Sequence, residues 1–194
     1  FDSTNSLNVT GGTLKLSGQG KSSSAVTVAT GAKLEVANTY GFENATLSGD
    51  IDLTGGTTTF KNAGGSGAKV NAKGGNLTFD TSVASLGLLT LDTGSTLASS
   101  NGGSAETASL DWKGGQVQGK LKATGNANIS GNDSKTIGAT GELTVTSTTN
   151  PISGGAIANQ GKFNKEGAGS TEVTAQFDST NSLNVTGGTL KLSG

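Results

Sequence analysis

The 194-residue chain contains no cysteine, no histidine, no methionine and no arginine, its thirteen basic residues all being lysine; it has one proline, one tryptophan, one tyrosine and six phenylalanines. Without cysteine there is no disulfide and no thiolate metal site. Without histidine and arginine the usual tools of acid–base catalysis and of nucleic-acid recognition are missing. No guanidinium fork can grip a phosphate or a guanine edge, and a pI near 5.4 gives no general attraction to polyanions. No apolar run approaches the roughly 18 residues of a membrane-spanning helix. Phe1 does not begin a signal peptide, so any export signal is expected outside these residues. The missing methionine, initiator included, leads to the expectation of a segment of something longer. With 33 glycines and 4% aromatics, no thick globular core can be filled.

A Gly-, Ser-, Thr- and Asn-rich chain invites a reading of disorder, because such chains often bury too little apolar surface to offset backbone entropy. The net charge of −1 argues against it, as does the ordered alternation of Leu, Val and Ile.

What is present is repetition on two scales. FDSTNSLNVTGGTLKLSG runs from Phe1 to Gly18 and recurs unchanged from Phe177 to Gly194, a period of 176 residues. Residues 1–176 are therefore expected to be one complete repeat, and 177–194 the start of the next. Within the unit a shorter phrase returns in degraded form: GGTLKL at 11–16, GAKLEV at 31–36, GGNLTF at 74–79, GSTLAS at 94–99 and GELTVT at 141–146. Each is a small-residue corner followed by alternation. Leu14 and Leu16, Leu34 and Val36, Leu77 and Phe79, and Leu143 and Val145 point to one face of a strand, with Lys15, Glu35, Thr78 and Thr144 on the other. The spacing is about twenty residues, the mark of a repeat architecture.

Short strands separated by glycine corners suit either an antiparallel sandwich or a parallel β-solenoid. Core size decides. A sandwich needs large apolar residues on two inner faces, whereas a solenoid coil needs a few inward side chains, each stacked on its equivalent in the next coil. Pairs such as Leu7/Val9, Val26/Val28 and Ala127/Ile129 give about four inward residues of modest size per coil. The expectation is an all-β parallel β-helix with about twenty residues per coil, roughly nine coils per unit and an advance of about 43 Å. The Gly-Gly pairs, among them Gly64–Gly65 and Gly154–Gly155, are expected at corners. TSVASLGLL at 81–89, the best helix candidate, is interrupted by Gly87 and is read as extended or looped.

The stretch GKFNKEGAGSTEVTAQFDSTNSLNVTGGTLKLSG, from Gly161 to Gly194, resembles the repeat language of very large bacterial surface and secreted proteins, namely autotransporter passengers and filamentous-haemagglutinin-type adhesins. The resemblance implies a right-handed parallel β-solenoid on an exported, extracellular or cell-surface bacterial protein, serving as stalk, fibre or adhesin. It transfers no binding residue, because the matched positions are corners and inward apolar residues.

Several groups invite a chemical reading. GQGKSS at 18–23 lacks the first glycine of a phosphate loop, Lys15 standing there, and is read as a corner. Ser66 and Lys69 have the spacing of a Ser/Lys nucleophile pair but sit in what reads as glycine-rich loop. Asp50 and Asp52 share a strand face and are the candidates for a metal site, the alternative being two solvated surface carboxylates. Trp112 and Tyr40 are the candidates for contact with a glycan; the alternative, favoured by the neighbouring Leu110, is Trp112 as a wide coil filler. Thr57, Thr58 and Thr59 with Thr144, Thr146, Thr148 and Thr149 suggest the threonine ranks of ice-binding solenoids, but they are scattered. Six Asn-x-Ser/Thr sequons, at Asn8, Asn44, Asn76, Asn128, Asn132 and Asn184, read as turn residues.

The expected function is a non-catalytic structural unit of a long extracellular filament or surface stalk. Its expected partners are further copies of itself stacked end to end, with no cofactor, no nucleic acid and no membrane span. The alternative is an adhesin segment that binds a surface or polysaccharide through its polar face. A carbohydrate-active enzyme is the weakest reading, since lysine alone would have to replace arginine in its groove.

Overall fold

The computed structural model describes residues 1–148 and 150–194. Among them the chain forms 24 strands and no helix. Strands pair in parallel with their equivalents one coil on: Tyr40 lies against Thr58, eighteen residues later, and Lys135 against Ile157, twenty-two later. Ten strands, from Asp2–Ser3 to Phe177–Ser179, stack in one sheet, so the chain is a β-solenoid of about ten turns. The alternation read in the sequence is the cause. In Asn76–Asp80 the side chains of Leu77 and Phe79 are buried inside the coil while Asn76 and Thr78 face out.

A second sheet of twelve strands forms most of the rest of the wall, and Ser170–Val173 pairs with Thr189–Leu192 in a separate two-stranded sheet. Early in the chain it is built from two short strands per coil. Thr46–Leu53 then pairs with both Val26–Val28 and Lys33–Val36, merging two sides into one long strand. The long strands that follow, such as Gly64–Ala72 and Lys120–Ile129, carry register irregularities where they bend. This corrects the placing of Gly64–Gly65 at a corner and of Ser66–Lys69 in a loop: all four residues lie in a strand. A Cβ on Gly65 would strike the Leu47 carbonyl oxygen of the preceding coil, so only glycine allows the two backbones to approach there. Gly154, by contrast, does sit at a corner. Its φ is +92°, and a Cβ would collide with the Gly131 carbonyl. Residues 83–91 form a strand rather than a helix.

The core is a bundle of inward columns, one residue per coil. Leu16, Val36, Leu53, Ala72, Leu91, Trp112 and Ile129 follow one another in register, and all are buried. Ile129 then accepts a hydrogen bond from the Ser153 amide, and the column runs on through Ile152 and Val173 to Leu192. Nine steps along this side carry Leu16 to Leu192, its own repeat equivalent. A second column stacks Phe42, Phe60 and Phe79 with centroids 5.5 and 5.0 Å apart, and Tyr40 meets Phe42 edge-on at 5.4 Å. Four of the eight aromatics are thus gathered in three adjacent coils, where ring pairs add about 0.5–1.5 kcal/mol each beyond the area they bury.

Candidate functional site

The sequence candidates separate sharply once placed. Trp112 is fully buried and Tyr40 almost so, its hydroxyl sharing a hydrogen bond of 2.8 Å with Ser22. Neither offers a ring face to solvent, so the sugar-platform reading of both is corrected in favour of coil filling. The coils around Trp112 bury small residues, Ala105, Ala123 and Ala127, which leaves room for an indole.

Asp50 and Asp52 do share a face, but not an environment. Among the described residues Asp50 pairs with Lys69 alone, at 3.9 Å. Asp52 is covered by its neighbours: Lys33 and Lys73 stand 2.9 and 3.0 Å from the same oxygen, and Asn71 donates to the other at 2.9 Å. Two ammonium groups occupy the place a metal ion would take, and Asp52 is not the solvated surface carboxylate that was the alternative. Among the described residues no three Asp, Glu, His or Cys side chains converge as metal ligands.

Gly20–Ser22, inside the phosphate-loop look-alike, is a strand, and Lys21 points to Glu43 at 3.1 Å. Thr58 is buried while Thr57 and Thr59 face out, and Thr146 bonds to the carbonyls of Ala123 and Gly125, so these threonines form no common rank. Thr149 lies outside the described residues. Of the six sequons only Asn44, at φ +52°, and Asn132 sit in turns; Asn8, Asn76, Asn128 and Asn184 lie in strands, where amides stack between coils, as Asn128 does on Asp111 and Asn184 on Asn164.

What the outer wall does carry is a set of ion pairs, most of them between successive coils, with Lys122 reaching across two coils to Glu166 and Lys113 also meeting Asp111 in its own coil. Lys15 meets Glu35 at 2.8 Å, Lys113 lies between Asp111 and Asp92 at 3.1 and 3.8 Å, Lys122 meets Glu166 at 2.8 Å, and Lys191 meets Glu172 at 2.7 Å. Parallel strands bring equivalent side chains within about 4.8 Å of one another, which makes such pairing between rungs natural. Burial alone would raise the Asp52 carboxyl, but hydrogen bonds from Lys33, Lys73 and Asn71 outweigh it and hold it below the ordinary carboxylate range. Lys15 and Thr54 lower Glu35, and Lys191 and Ser193 lower Glu172.

Carboxyls depressed in the folded state contribute stability above their unfolded pKa of about 4 and lose it as pH falls through the folded value. The melting temperature should therefore be level between about pH 7 and pH 5 and fall below about pH 4. Asp52→Asn should lower the plateau and flatten the acid limb, as followed by circular dichroism; an unchanged acid limb would show that the Lys33–Asp52–Lys73 cluster contributes nothing.

The remaining feature is the pair of solenoid ends. The two copies of the eighteen-residue segment form the same strands, Asp2–Ser3, Leu7–Val9 and Thr13–Leu16 at the start and Phe177–Ser179, Ser182–Val185 and Thr189–Leu192 at the finish. They differ in what covers them. Val9 is 6% exposed but Val185 47%, and Leu16 6% but Leu192 52%. Phe1 is 58% exposed, while Phe177 packs against Phe163 with centroids 5.6 Å apart. Compared with protein-family models, with curated proteins and with solved structures, the chain shows no match.

Proposed function

We propose that the chain is a unit of a long, tandemly repeated β-solenoid that acts as a filament or stalk on an exported bacterial protein, without catalysis. The observation that carries the reading is the behaviour of the repeated segment. One sequence serves as a first coil, covered by residues 19–38, and as a last coil, seated on the coil before it. A segment that fits both positions leaves each end of the unit complementary to another copy. The mechanism is then mechanical: uninterrupted ladders of hydrogen bonds and inward columns carry load along the axis and hold an attached domain away from its base.

The adhesin reading rests on a different observation, the outward row of Thr96, Gln116 and Thr136 in register on the ten-stranded sheet, uncharged and able to hydrogen-bond. It adds a surface to the same filament and does not compete with it.

Electron microscopy of the native material is the test. Straight filaments whose axial repeat is about 43 Å, nine strand spacings, are the expected result. Compact particles with no axial period would remove the filament reading.

A further inference from the structure

The repeated segment carries only two charged residues, Asp2 and Lys15, which recur as Asp178 and Lys191. In each copy they contact a different neighbour. Lys15 reaches up the wall to Glu35, its register partner in the next coil, at 2.8 Å. Lys191 reaches down to Glu172, its register partner in the preceding coil, at 2.7 Å. Asp2 accepts the Lys21 amide of the following coil at 3.0 Å, whereas Asp178 accepts from the side-chain amide of Gln176, two residues earlier in its own coil, at 2.8 Å.

Building on the filament reading, we infer that this lysine is a junction bridge: in consecutive units one ammonium serves two carboxylates, Glu172 of the unit below and Glu35 of the unit above, and ties the two across their boundary. The chemistry suits the role. An ammonium has three donors, and the two contacts lie on opposite sides of one strand, about 4.8 Å from each neighbouring strand. Each glutamate also accepts from a hydroxyl, Glu35 from Thr54 of the following coil at 3.0 Å and Glu172 from Ser193, two residues after Lys191, at 3.0 Å, so a second donor orients each carboxylate beside the lysine. The inward column closes in phase at the same place: the nine steps that return Leu16 as Leu192 return Lys15 as Lys191, one position away on the outer face. The partner such an end recognises is therefore another copy of this unit in matching register; a coil without an acid opposite the lysine would leave the ammonium with a single partner.

The test uses a chain in which the 194 residues continue without a break into the remainder of a second unit, with glutamate side-chain carbons labelled and their titrations followed by NMR. Lys191→Met is expected to shift two titration midpoints upward, that of Glu172 and that of the second unit's Glu35, while leaving the first unit's Glu35, held by its own Lys15, in place. In the 194-residue chain alone the same substitution should move Glu172 only. If the second unit's Glu35 does not respond although strand 189–192 is protected from hydrogen exchange on both sides, the units stack but the lysine serves one acid, and the bridge is overturned. If that strand gains no protection in the two-unit chain, the units do not stack, and both the bridge and the filament reading fall.

Discussion

Trp112→Ala is expected to cost about 3–5 kcal/mol, the range for emptying a buried aromatic site. In a domain of this size that corresponds to a fall in melting temperature of roughly 10 °C. Trp112 sits between Leu91 and Ile129 in the inward column, with Leu110 the next inward residue of its own strand; those side chains are themselves held in buried register and cannot fill a space the size of an indole. The loss should be local. Each coil of a solenoid contacts only its neighbours, so hydrogen-exchange protection should drop first in strands Ser104–Trp112 and Lys120–Ile129 and least in the terminal coils. Trp112→Phe is the informative companion. The indole Nε1 has no hydrogen-bond partner among the described residues, so phenylalanine gives up volume but also removes an unsatisfied buried donor, and it should recover most of the stability. Equal losses for the two variants would show that the indole does not act as a filler. The same experiment bears on the glycan reading: any binding lost in Trp112→Ala would be lost together with the coil.

How far the sequence carries follows from the same residues. Leu77 and Phe79 flanking Thr78, or Leu34 and Val36 flanking Glu35, announce strands with an inner and an outer face, and their twenty-residue recurrence announces the solenoid, because period and alternation are local properties. The bends are less legible. Gly64 and Gly65 look like a corner because glycine pairs usually make one, yet here they serve the close approach of neighbouring strands inside a long, irregular ladder, which depends on Leu47 one coil away. The aromatic column was equally hidden: Phe42, Phe60 and Phe79 lie eighteen and nineteen residues apart, and only the register shows that those unequal spacings superpose. The ion pairs escaped for the same reason. Asp52 looks like half of a carboxylate pair with Asp50 until coils on either side supply Lys33 and Lys73. The repeated segment is plain in the sequence, but the division of its contacts between the two copies follows from which coil lies above and which below each one.

Lysines inside the solenoid are the least expected feature. Lys165 follows Phe163 by two residues and by that alternation faces inward, fully buried. Its ammonium donates to the carbonyls of Thr146 at 3.3 Å, Gly167 at 3.0 Å and Glu166, with Gly187 at 3.5 Å. Thr146, in strand Glu142–Thr148, belongs to the coil before and Gly187 to the coil after, so one side chain caps carbonyls from three successive coils. Methionine has nearly the same length and no donor. Each carbonyl left buried without a partner costs about 1–3 kcal/mol, and the relief of no longer burying a charge offsets part of that, so Lys165→Met should lose about 2–4 kcal/mol. Lys135 supplies the contrast. It reaches only Gly131 and Asp133 in its own corner, at 3.1 and 3.0 Å. Burial pushes its pKa down, with the Asp133 charge acting the other way, so its charged form is less well compensated. Lys135→Met should therefore cost less than Lys165→Met, and the extra loss at Lys165 should appear as faster hydrogen exchange in strands 182–185 and 189–192. Urea unfolding of the two variants decides the point. If Lys165→Met is as stable as the parent, the carbonyls find water and the lysine is not a cap; if it is destabilised and the last coil exchanges faster, an internal cation holds successive coils together at the point where one unit passes into the next.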